Sequence, residues 1–214
     1  AYEIRNCDRS SDVCSSDLLG AVTQEKLDNQ IGVVQNEKRQ GDNRPYGKTE
    51  YRILEALFPP GHPYRHSTIG SMEDLSAASL ETVQQWFKDY YGAANTVLVL
   101  AGDVDVAQAR ALTEKYFGDI DAGPPVTRMK AAIPTHLSDT HEVMYDRVPQ
   151  ARVFHNWVAP GRTTRAAAEM ELVASILGSG KNSRLYQALI YDQQLAVDAS
   201  SSLQGQEQIG RAHV

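Results

Sequence analysis

Residues 23–40 read TQEKLDNQIGVVQNEKRQ. Leu27, Ile31 and Val34 recur at the spacing of one helical face, with polar residues opposite, so the stretch predicts an amphipathic helix. Gly41 and the Asn43–Pro45 stretch stop it. Gln30 and Glu37 lie two turns apart on the same side. Val33 precedes Glu37 by one turn, so this carboxylate borders the apolar stripe. A glutamate there invites a partner, because burying it unpaired or without a metal is costly. On these residues alone a solvated or salt-bridged glutamate is the simpler reading.

The flanking sequence mixes helices and strands. A second helix is expected at about 48–57, with Tyr51, Leu54 and Phe58 as its stripe, and Pro59, Pro60, Gly61 and Pro63 impose a loop after it. Ser79 suits the N-cap of a helix at 80–91 that carries Leu80, Val83, Phe87 and Tyr91 on one face. The aromatic group Trp86, Phe87, Tyr90 and Tyr91 reads as core packing. TVLVLA at 96–101 is a short, continuous, β-branched run that predicts a buried strand. Residues 106–117 are again amphipathic, with Gly118 as the stop. The stretch 119–139 has three prolines and no period, which marks a linker. Strands are expected at 141–147 and 151–159. A helix at 164–177, capped by Thr163 or Thr164 and stopped by Gly178, comes next. A further helix at 183–192 and a strand at 195–203 complete the series. No regular βαβ alternation emerges, so the class is α+β.

The two ends read differently. DVCSSD at 12–17 and IGRAHV at 209–214 can be encoded by opposite strands of one oligonucleotide. ATC-GGA-AGA-GCA-CAC-GTC encodes IGRAHV, and its reverse complement encodes DVCSSD. The oligonucleotide resembles a sequencing-library adapter. Segments of that kind are set aside in reasoning about a fold. The expected organisation is therefore a non-native tail at 1–18, the latter part of one domain at 19–123, a linker at 124–139, the beginning of a second domain at 140–208, and a non-native tail at 209–214. Cys7 and Cys14 both fall in the first tail, so neither a disulfide framework nor a cysteine zinc site is arguable.

Composition narrows the partners. The chain has 214 residues, 42% of them apolar, and a net charge of −6. No basic stripe points to nucleic acid, and no apolar run is long enough to span a membrane. His62 and His66 are four apart but sit in a proline-rich loop, a poor frame for a metal. GSGKNS at 178–183 lacks the first glycine and the Ser or Thr of a phosphate loop. Asp103 and Asp105 are too short a cluster for an EF-hand.

An ordered series of strings carries more information than any one of them. VVQNEKRQ is followed by PYG, FPPGHPY, STIGSMEDL, WFKDYYG, NTVLVLAGDVD, KYFGDI, RVPQAR and GSGKNSRLYQAL. Across 19–203 this series resembles the pitrilysin/insulinase (inverzincin) family of zinc metallopeptidases, especially its bacterial, processing-peptidase-like branch. The resemblance implies a two-layer α/β sandwich of the kind found in LuxS and mitochondrial processing peptidase. It also implies a chamber built by paired domains or subunits, with a peptide or unfolded-protein substrate added as a strand at a sheet edge. The family carries an H-x-x-E-H motif and a later glutamate ligand for Zn2+. The residue matching that glutamate is Glu37. The zinc would activate a water for peptide hydrolysis.

Three departures qualify the resemblance. H-x-x-E-H occurs nowhere among His62, His66, His136, His141, His155 and His213. One carboxylate cannot build a three-ligand catalytic zinc site, so the chain alone is expected to be inactive. Gln30 stands where many active relatives have an assisting glutamate. Ile190 and Val197 stand where the family places a substrate-reaching arginine and tyrosine. The expectation is a truncated zinc endopeptidase, periplasmic or secreted by resemblance. Its rival is a non-catalytic partner or scaffold subunit of a peptidase-family complex.

Overall fold

The computed structural model describes residues 22–136 and 138–214. They fall into two compact units. The first comprises the described residues up to Lys38 together with Ser71–Arg128, and the second comprises Arg39–Gly70 and Met129–Val214.

The first unit is helical. Helix α1, Gln24–Asp42, follows the expected period and crosses the boundary into the second unit. It runs through Gly41, which therefore does not stop it. Helix α3, Met72–Ala77, escapes a sequence reading because it is a turn and a half without an apolar stripe. Its local signal is the N-cap Ser71, whose hydroxyl oxygen accepts from Asp74 N–H at 2.9 Å and whose O–H donates to the Asp74 carboxylate at 2.7 Å. Helix α4, Leu80–Tyr90, starts at Ser79, whose hydroxyl oxygen accepts from Thr82 N–H. Helix α5, Val106–Phe117, is capped by Asp105, which accepts from Gln108 N–H at 2.8 Å. A 3-10 turn at Ala93–Asn95 is clasped to the chain after α5. Ala93 and Ala94 N–H donate to the carbonyls of Asp121 and Ala122, both at 3.0 Å. A Cβ on Gly92 would collide with Ala122 and Gly123, so only glycine allows this crossing.

Two expectations for this unit are corrected. TVLVLA at 96–101 forms no strand among the described residues, and Val97 is 86% exposed. β-branched residues supply propensity, yet a strand exists only when its backbone finds a partner ladder. The aromatic face of α4 is not packed as a core either. Trp86 is 57% exposed, with Tyr90 and Tyr91 also exposed. Its rings pair with one another along the helix instead, Trp86 with Tyr90 at 4.2 Å and Phe87 with Tyr91 at 4.7 Å between centroids.

The second unit holds a small antiparallel sheet in the order β1-β3-β2, from Asn156–Pro160, Ile209–His213 and Ser202–Gln204. Trp157 faces Ala212 in one pair and Leu203 faces Ala212 in the other. Helix α2, Thr49–Leu57, buries Leu54 and Leu57, which join Phe58 and Ile209 in the core, with Tyr64, Ala131 and Val158 against them. Helix α6, Arg165–Gly178, is capped by Thr164, which accepts from Ala167 N–H, and lays buried Ala167 and Ala174 toward the sheet.

The strand expectations shrink in this unit. Residues 141–147 form no ladder, 151–159 pairs only from His155, which exchanges two backbone hydrogen bonds with Val214, and 195–203 pairs only from Ser202. The residues before them find no partner strand among the described residues. The 183–192 helix is present, but it widens into a π turn at Tyr186–Asp192. The segment 209–213 is the central strand, and Ile209 is 1% exposed. Ladder pairing uses the backbone and is nearly indifferent to side-chain identity, so it says nothing about where those residues come from. The tail drawn at 1–18 lies outside the described residues.

Candidate functional site

Glu37 lies in the penultimate turn of α1 on an exposed face, as does Gln30 two turns earlier. Leu27 is the buried residue of this helix, and Ile31 and Val34 are half-buried beside it. The Glu37 side chain makes no hydrogen bond or ion pair with another described residue. In water such a carboxylate carries no desolvation penalty and needs no partner. A catalytic zinc needs three protein donors and an open position. No group of three or more His, Cys, Asp or Glu side chains able to hold a metal occurs among the described residues. These residues therefore do not fit zinc by themselves. Glu37 offers one donor.

His62 and His136 serve the fold. His62 Nε2–H donates to the Ala132 carbonyl at 2.9 Å, while Nδ1 accepts from Tyr64 N–H at 3.1 Å. Both ring nitrogens are thus occupied, and Phe58 stacks on the ring with centroids 4.8 Å apart. His136 Nε2–H donates to the Leu57 carbonyl at 2.9 Å. His66 is exposed and does not join His62 in a site. His213 faces Ser202 across the sheet, with Nε2 2.9 Å from the hydroxyl. Its Nδ1 is buried without a partner, so no carboxylate orients the ring as nucleophilic catalysis would require. Burial, and then the charge of Arg211, holds the His213 pKa below its ordinary value. Burial likewise lowers that of Arg211, and Glu50 at 3.7 Å opposes it.

The remaining motifs resolve into architecture. Gly178 closes α6 where a Cβ would strike the backbone of Ser200 and Ser201, and Gly180 turns the chain at φ +75°. Asp105 is the cap of α5. Ile190 lies half-buried in the π turn and Val197 is exposed, so neither supplies a charge. Sequence reasoning missed Tyr46, which sits in the left-handed region at φ +62°. Its O–H donates to the Gln150 carbonyl at 2.7 Å, and the Arg152 guanidinium lies 4.3 Å from its ring centroid. The only local signal is Pro45–Tyr46–Gly47, which in sequence marks no more than a helix stop and a family string.

The Peptidase M16 inactive domain family matches residues 77–210, more than half of the chain. The chain belongs to the M16 peptidase family. The zinc protease PqqE of Helicobacter pylori is 29% identical over 178 residues, covering 79% of this chain and 39% of that protein. An uncharacterized zinc protease of Mycobacterium leprae is 25% identical over 203 residues, covering 87% and 42%. Among solved structures, a peptidase M16 inactive domain from Pseudomonas fluorescens superposes with a TM-score of 0.67 at 16% identity, covering 89% of this chain and 46% of that one. A protease from Helicobacter pylori superposes with a TM-score of 0.66 at 22% identity, covering 90% and 47%. These likenesses show the fold: helices with a small sheet, of the M16 peptidase type. The chain spans less than half the length of these relatives. No described helix is long and apolar enough to cross a membrane.

Proposed function

We propose that this chain is part of a zinc-dependent endopeptidase that cleaves peptides or unfolded polypeptides, and that alone it hydrolyses nothing. The observation carrying the reading is the match to the family's inactive domain in a chain without H-x-x-E-H, several of whose relatives are named zinc proteases. Glu37 is the one zinc ligand the chain would contribute. The two histidines and the general base belong to sequence outside these residues, and a paired family domain or subunit completes the chamber. A periplasmic or secreted location accompanies this reading. The test is zinc content and casein hydrolysis of the full-length protein from the native gene, with and without Glu37→Gln. One zinc per chain and activity, both lost in the variant, support the assignment. Zinc and activity that survive the substitution remove Glu37 from the site.

The inactive-domain match also favours a second reading, a non-catalytic partner subunit. Its full-length protein would bind no zinc and would restore activity only when mixed with a separate catalytic chain.

A further inference from the structure

Residues 142–154 form neither helix nor strand and have little backbone to hold them. Among the described residues their one backbone–backbone hydrogen bond is local, Val148 N–H to the Asp146 carbonyl. Side chains from α2 and the turn before it fasten this strap at two places. At one end Arg52 grips Glu142 through two hydrogen bonds, at 2.8 and 3.1 Å. At the other, the Tyr46 O–H reaches the Gln150 carbonyl and the Arg152 guanidinium covers the Tyr46 ring.

Tyr46 adopts a backbone conformation that bulky residues avoid, at φ +62°. The turn does have a glycine, Gly47, but that position needs its own, because a Cβ there would strike the carbonyls of Gly41 and Arg44. Position 46 therefore combines a strained backbone with a large side chain. Such strain persists where surrounding contacts over-determine it. The contacts here are the Gln150 hydrogen bond, the Arg152 stack, and the Thr49 hydroxyl on the Tyr46 carbonyl at 2.7 Å.

We propose that Tyr46 is a latch: it fastens the strap 142–154 to the turn between α1 and α2, and its loss frees the strap while the β1-β3-β2 sheet stays paired. The latch joins the end of α1 to chain 104 residues further on, from Tyr46 to Gln150. It acts without zinc.

Limited trypsin digestion of the 214-residue chain tests it, with cleavage after Arg147 in the strap and after Arg184 outside it followed by mass spectrometry. Tyr46→Phe keeps the ring and loses the hydrogen bond, and about a threefold faster cut at Arg147 is expected. Tyr46→Gly relieves the backbone and loses both contacts, and about a tenfold faster cut is expected. Cleavage at Arg184 stays unchanged in both. A residue serving only the turn would give the opposite result for Tyr46→Gly, since glycine suits this φ better. Unchanged cleavage at Arg147 in both variants, or equal acceleration at Arg147 and Arg184, overturns the latch.

Discussion

Glu37 is exposed, and water solvates its carboxylate. Glu37→Gln should therefore leave the stability of the 214-residue chain within about 0.5 kcal/mol of the parent, read by urea titration. A larger loss would mean the carboxylate has a structural partner. His213 makes a pH prediction. Its pKa is lowered from 6.5, mainly by burial, so the folded sheet prefers the neutral ring. That preference is fully expressed above about pH 6.5 and is lost as pH falls through the lowered folded value. The pairing of β2 with β3 should loosen on acidification in that window, seen as faster amide exchange at Leu203 and Ala212. His213→Gln should remove the dependence. The helix that carries Glu37 was legible because a helical period marks it. The left-handed Tyr46 was not, because its conformation is held by residues far along the chain.

Among elements, the legible ones are those whose causes are local. The stripe Leu80, Val83 and Phe87 and the cap Ser79 lie within a few residues of one another, and α4 begins where they say. Thr164→Ala should cost about 1 kcal/mol, measured as a shift in the urea midpoint of the second unit, because Ala167 N–H loses its acceptor. Phe58, 4% exposed in the core with Leu54, Leu57 and Ile209, carries more. Phe58→Ala should cost about 3–5 kcal/mol, since the transfer and cavity terms add. Strands were over-read for the opposite reason. Val97 and Val99, or Val143 and Tyr145, have the right residue types, but pairing is decided by a neighbour that no local window contains. The domain division drawn from the proline-rich stretch is likewise a proposal. The compact units exchange residues 39–70, which the linear sequence does not announce.

At the scale of the whole molecule, the apolar surface left uncovered is the dominant fact. Trp86, Tyr91, Val97 and Val99 of the first unit are all exposed. Contiguous apolar surface of this kind drives association. The isolated chain should sediment as concentration-dependent oligomers, and a monomer with one sharp, concentration-independent unfolding transition would contradict this. A paired peptidase-family domain, as proposed above, would cover the same surface, which returns the question to the gene. The most direct measurement is the native coding sequence upstream of Leu19, read from the source genome without library adapters. The account predicts H-x-x-E-H roughly seventy to eighty residues before Glu37, in the same frame. A native frame without that motif would contradict the zinc-ligand role of Glu37 and leave the partner-subunit reading in its place.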